Sequence, residues 1–84
     1  MYHKQLVYLV KAVECSSIRK AAKMLGTTQP NVSTAIRALE REVGVRLLTR
    51  NNKGVFVTPE GQLFFTLAKD IVEKQEALER FYVR

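Results

Sequence analysis

The stretch Ser17-Ile18-Arg19-Lys20-Ala21-Ala22-Lys23-Met24-Leu25-Gly26-Thr27-Thr28-Gln29-Pro30-Asn31-Val32-Ser33-Thr34-Ala35-Ile36-Arg37-Ala38-Leu39 carries two helical periods with a three-residue break between them. Ile18, Ala21, Ala22 and Leu25 stand at i, i+3, i+4 and i+7, the spacing that lines one face of an α-helix. Ser16 and Ser17 supply hydroxyl caps for the free N–H groups at its start, and Gly26 closes it because glycine adopts the left-handed cap conformation without a Cβ penalty. Only Gly26, Thr27 and Thr28 then intervene before a second period opens with Pro30 in its first turn, where a missing N–H costs nothing.

This second helix is expected over Gln29 to Glu42, with Gly44 as its stop. At 100° per residue, Val32, Ala35, Ile36, Leu39 and Val43 fall in one arc. Ser33, Thr34, Arg37 and Arg41 share the opposite arc with Pro30, so one face is apolar and the other polar and cationic. Two helices across a short turn containing glycine, the second with a polar outer face, form a helix-turn-helix pattern.

Upstream, Leu6, Leu9, Val10 and Val13 repeat the helical spacing in a segment expected at Lys4 to Glu14. Downstream, Leu47 to Arg50 and Val55 to Thr58 are strand-capable stretches around Asn51-Asn52-Lys53-Gly54, residue types that tolerate positive φ and favour a hairpin turn. A hairpin after a helix-turn-helix makes the winged version, so the fold class is mainly α: a three-helix core, a small β-hairpin wing and a long C-terminal helix. Thr58 offers the cap for that last helix directly before Pro59. Along it Phe64, Ala68, Ile71, Gln75, Leu78 and Tyr82 step by 4, 3, 4, 3 and 4, a heptad seam with one polar position at Gln75. Core packing onto the first three helices is one reading of this stripe; its later half runs past what so small a body can cover, which favours a dimerisation surface.

Eighty-four residues allow one small folded body, and a hydrophobic content of 46% with 26% charged residues is globular in character. Cys15 is the single cysteine, which removes disulfide frameworks and cysteine zinc sites, makes Cys15 a packing residue, and fits a reducing, cytoplasmic setting. No run approaches the roughly twenty apolar residues that span a bilayer, and the N-terminus lacks a signal pattern. Neither secretion nor membrane insertion is expected.

The charge is uneven. Residues 1–58 hold ten Lys and Arg against three Glu, a net of +7, whereas residues 59–84 hold four against five, a net of −1. The basic part reads as the unit that meets a polyanion, and the charge-balanced residues 59–84 as a helix with a different job, such as holding a partner chain. A recognition helix enters the major groove of double-stranded DNA N-terminus first. Thr28, Gln29, Pro30, Asn31, Ser33 and Thr34 are thereby nearest the bases, Thr28 serving first as the helix cap and second as a phosphate contact, with Arg37 and Arg41 further along on phosphate. Arg50 and Lys53 on the hairpin reach toward the adjacent minor groove. Ser17, Arg19 and Lys20 stand at a helix start that can hold a phosphate, although for Arg19 and Lys20 plain surface charge is an open alternative. With no paired carboxylates, Ser-His pair, metal-ligating cluster or phosphate-gripping glycine loop, neither an enzyme nor a cofactor is expected in this fragment.

Together the motifs Ser17-x-x-x-Ala21-Ala22-x-x-Leu25, Gln29-Pro30-x-x-Ser33, Ile36-Arg37-x-Leu39-Glu40, Leu47-x-x-Arg50 and Thr58-Pro59-x-Gly61, in this order and spacing, resemble the N-terminal domain of LysR-type transcriptional regulators across nearly the whole chain. The resemblance implies a bacterial winged helix-turn-helix DNA-binding domain, residues 1–58, whose last helix, residues 59–84, is a linker and dimerisation helix that pairs with its counterpart in a second chain, giving a homodimer on an interrupted palindromic promoter site. The full-length protein would then be a dimer or a tetramer. It also implies a larger effector-sensing domain beyond a chain that ends inside a helix, and DNA-facing roles for Gln29, Pro30 and Ser33, with Arg50 and Lys53 in the wing. The sequence departs from the family pattern at Thr34 and Ala35, where long polar side chains are common, which shortens the reach of the recognition helix to the bases. Ile18 and Leu48 replace the usual Phe and keep an apolar role. A rival of another class is a helical interaction module whose C-terminal seam captures a partner helix while the positive charge serves solubility.

Overall fold

The computed structural model describes residues 1–82, in the order α1 (His3–Cys15), α2 (Ile18–Leu25), α3 (Gln29–Val43), β1 (Leu48–Asn51), β2 (Gly54–Val57) and α4 (Gln62–Tyr82). Val83 and Arg84, the last two residues of the expected 59–84 segment, lie outside the described residues. This is the mainly α, winged helix-turn-helix architecture with a long C-terminal helix that the periodicity implies. Among the described residues no helix is long and apolar enough to cross a membrane.

The helix boundaries follow local chemistry. Ser17 Oγ accepts from the Lys20 N–H at 3.0 Å and Thr28 Oγ1 accepts from the Asn31 N–H at 3.2 Å, which cap α2 and α3. Gly26 at φ 70° and Gly44 at φ 88° close the two helices in the left-handed region. Ser16 does not cap α2. It ends α1 with φ 52°, the single positive φ outside glycine among the described residues, and its N–H is bonded to Val13 O.

The core forms where three helices and the hairpin meet. Leu9, Ala12, Ala21, Val32, Leu39 and Leu47 are all fully buried, and Ile36 and Val55 close the cluster beside them. The alanines on α2 let it approach α1 and α3 closely, since neither side chain extends beyond Cβ. Burying a leucine contributes roughly 1.5–3 kcal/mol, so apolar contact across elements is what holds these short helices together.

The hairpin starts one residue later than its sequence suggests, with Leu48 opposite Val57 and Asn51 opposite Gly54. The shift has a tertiary cause, because the Leu47 N–H turns to the Glu40 carboxylate at 2.7 Å. Its turn also differs from the expectation of positive φ through Asn51-Asn52-Lys53-Gly54. Only Gly54 has one (φ 137°), while Asn51 Oδ1 accepts from the Lys53 N–H at 2.7 Å and stabilises the bend with its side chain.

Thr58 caps the next segment as expected, accepting from the Gly61 N–H at 3.0 Å while its own hydroxyl donates to Arg46 O. The first turn, Pro59–Gly61, is 3-10, and the α-helix proper starts at Gln62. A Cβ at Gly61 would stand 2.9 Å from Thr58 Oγ1, the capping hydroxyl, and 3.0 Å from the Leu47 Cα, so a larger residue there must displace one of them. The helix α4 packs along α1 and buries Ala68 and Val72, and beyond Val72 no residue of it is buried.

Candidate nucleic-acid interface

The start of α3 presents a row of polar side chains outward. Gln29, Pro30, Asn31, Thr34 and Arg37 are exposed and Ser33 is half-buried, because Val32, Ile36 and Leu39 hold the opposite face in the core. One of the row is engaged locally, since the Asn31 amide donates to Thr27 Oγ1 at 3.0 Å, and Thr28 just before the row caps the helix. Among the described residues, the side chains of Gln29, Ser33, Thr34 and Arg37 make no hydrogen bond or ion pair within the chain, so their polar groups face solvent unspent.

The hairpin folds back toward the starts of α2 and α3. The backbone pins it there, since the Val55 N–H donates to Ser16 O at 3.2 Å. As a result Ser17, Arg19, Gln29, Arg50 and Lys53, distant in sequence, line one concavity of about 320 Å³. Ser33, Arg37 and Arg50 line a neighbouring cleft of about 490 Å³, so Arg50 borders both. Lys20 is exposed on α2 and lines neither hollow.

Sequence reasoning missed Arg46 and Thr49, which line the larger cleft. For Arg46 a signal was present, because alternation along an extended chain places Arg46, Leu48 and Arg50 on one side, and all three do line that cleft; for Thr49, of the opposite parity, alternation gives none.

The heptad seam of α4 divides. Ala68 is 2% exposed, inside its own chain's core, and Phe64 packs against that core, because α1 covers the first half of α4. These two positions have little surface to give a second chain. Ile71, Leu78 and Tyr82 are exposed, and Gln75 is half-buried with its Nε2 3.4 Å from Glu79 Oε2. The exposed apolar row continues instead through Leu63 and Leu67 and ends at Phe81, three residues outside the seam. It is the same helical stripe rotated toward solvent, and Ile71, Gln75 and Leu78 line a shallow hollow of about 380 Å³ on it.

Comparison with known proteins agrees with this geometry. The family model described as bacterial regulatory helix-turn-helix protein, lysR family, matches residues 3–62. The HTH-type transcriptional regulator TdcA of Escherichia coli (strain K12) is 40% identical over 73 residues, covering 87% of this chain and 23% of that protein. The HTH-type transcriptional regulator TcbR of Pseudomonas sp. (strain P51) is 36% identical over 73 residues, covering 87% of this chain and 25% of that protein. The chain thus spans about a quarter of the length of these curated relatives. Among solved structures, the BenM DBD in complex with catB site 1 DNA superposes with a TM-score of 0.86 at 36% identity, covering 96% of this chain and 91% of that one. The CbnR DBD in complex with DNA superposes with a TM-score of 0.81 at 32% identity, covering 100% of both chains.

Proposed function

The chain belongs to the lysR family of bacterial regulatory helix-turn-helix proteins, and from that premise we propose that it binds double-stranded DNA sequence-specifically as the reading unit of a transcriptional regulator. Residues 1–58 form the DNA-binding unit, with α3 in the major groove and the hairpin against the adjacent minor groove. Residues 59–84 form the linker helix that joins two copies on an interrupted palindromic site. The unit works by binding, without catalysis or a cofactor of its own, in the bacterial cytoplasm.

One observation carries the reading: side chains from α2, α3 and the hairpin that the fold does not use converge on a single basic face. The solved complexes of similar domains with DNA support it. Gln29 has the strongest case for reading a base, because a carboxamide matches the adenine N6 and N7 edge bidentately and this one is exposed and unengaged.

Fluorescence anisotropy on labelled duplexes tests this directly. Affinity should fall log-linearly with salt. Gln29→Ala should cost about 1–3 kcal/mol on a selected site and almost nothing on a random duplex. Equal losses on both duplexes would remove Gln29 from base reading, and a wild-type domain that ignores DNA at low salt would end the proposal.

The linker assignment has its own check. Ile71, 50% exposed, sits mid-row among apolar neighbours, so Ile71→Asp should turn a sedimenting dimer into a monomer while leaving the fold intact. A wild-type chain that stays monomeric at high concentration would refute the pairing.

A further inference from the structure

The cleft between α3 and β1 has six polar residues in its lining: Ser33, Arg37, Glu40, Arg46, Thr49 and Arg50. Its one carboxylate is already engaged, since Glu40 Oε2 accepts the N–H groups of Leu47 at 2.7 Å and Leu48 at 3.2 Å. Three guanidinium groups stand around that one carboxylate, so the lining keeps a net charge of +2. Among the described residues none of them forms an ion pair, and the one hydrogen bond they make within the chain runs from Arg46 Nη2 to Leu48 O at 3.5 Å. Like charges around one hollow repel each other, and an anion seated between them reverses the sign of that interaction. A guanidinium fork matches the oxygens of a phosphate in particular.

Placement identifies the anion. Arg37 and Ser33 belong to the helix proposed for the major groove, and Thr49 and Arg50 to the hairpin proposed for the minor groove. What separates two adjacent grooves of a duplex is a sugar-phosphate strand, so a cleft between the two reading elements faces that strand. We infer that this cleft is a phosphate seat in which Arg46 joins Arg37 and Arg50 on a single backbone phosphate of the bound duplex. The inference rests on the DNA-binding reading above and adds Arg46 to it. The hydroxyls of Ser33 and Thr49 stand at the same cleft as further donors. A seat of this kind adds affinity without base preference and fixes the depth of α3 in its groove.

Sharing one phosphate has a measurable signature, because each neutralised phosphate contributes about 0.9 to the slope of log affinity against log salt. The experiment is a salt series of anisotropy titrations on a generic duplex, using the wild type, Arg46→Ala, Arg46→Lys and the triple alanine variant of Arg37, Arg46 and Arg50. Arg46→Ala should weaken binding on the order of tenfold, alike on generic and selected duplexes, with Arg46→Lys recovering only part because it lacks the fork. The triple variant should lose about 0.9 of the slope in all, whereas three separate contacts would lose about 2.7. Circular dichroism melts matching the wild type would confirm that the variants fold. Wild-type affinity in Arg46→Ala, or a slope loss near the larger value, overturns the seat and leaves DNA binding standing. A wild type that binds no duplex at low salt overturns the DNA-binding reading itself, and the seat with it.

Discussion

Glu40→Ala is expected to lower the stability of the domain by about 3 kcal/mol and to free the hairpin from α3. The Glu40 carboxylate accepts two consecutive backbone N–H groups, those of Leu47 and Leu48, from the segment that leads into β1. Both residues are buried, so removing the acceptor leaves two donors away from water, at roughly 1–3 kcal/mol each before relaxation. Domains of this size hold about 5–15 kcal/mol in total, which makes the loss a large share. Glu40→Gln separates charge from acceptor: its amide oxygen can still take the N–H groups, and the expected cost is about 1 kcal/mol. Urea denaturation of the three proteins measures both effects. If Glu40→Ala falls within 0.5 kcal/mol of the wild type, water or a shifted backbone satisfies those donors and the clasp is not structural. DNA affinity should fall with stability in the alanine variant, because Arg46 stands directly before the clasped pair and Thr49 and Arg50 directly after it.

Gly54→Ala is the second large effect, at about 2–4 kcal/mol. Two causes add. The backbone there has φ 137°, a region that L side chains rarely adopt, and a Cβ would stand 2.5 Å from Ser16 O. That oxygen is backbone and accepts from the Val55 N–H, so it cannot retreat without breaking the bond that ties the hairpin to the α1–α2 junction. Gly26→Ala is the natural comparison, with φ 70° but nothing within 4 Å of the added methyl, so it should cost only the conformational strain of about 1–2 kcal/mol. Thermal melts should rank wild type above Gly26→Ala and Gly26→Ala above Gly54→Ala. The reverse order of the two variants would show that the hairpin yields easily and is not pinned at Ser16.

These two contacts also mark where the sequence stopped being legible. The helices could be read because their signals are local: a 3.6-residue period, Ser17 and Thr28 as caps, Gly26 and Gly44 as stops. The hairpin was visible as an element, but its register depends on Glu40, seven residues before Leu47 in the chain, and on Ser16 across the fold. No window on residues 47–58 contains either. Ser16 reads like its neighbour Ser17, and only the close of α1 decides that one caps while the other bends the chain. The seam on α4 failed at Ala68 for a related reason, since a heptad count shows which residues share a stripe and is silent on how far α1 covers it. For the proposed interface, the polar face of α3 follows from period alone. Arg46 required knowing that the chain after Gly44 runs extended beside α3.

The fourth helix has a mechanical consequence. From Gln62 to Tyr82 it contains neither glycine nor proline, the usual causes of a sharp kink, and its first half is cemented into the core through Ala68 and Val72. It therefore acts as a rigid shaft with the reading head fixed at one end. At 1.5 Å per residue its 21 residues span about 31 Å, so a tilt of roughly 10° at the head carries the far end through about 5 Å. The same lever works in reverse. In a two-headed assembly joined through these shafts, the separation of the recognition helices is set by the angle at which the shafts cross, and a small rotation at that crossing changes which spacings of half-sites both heads can grip at once.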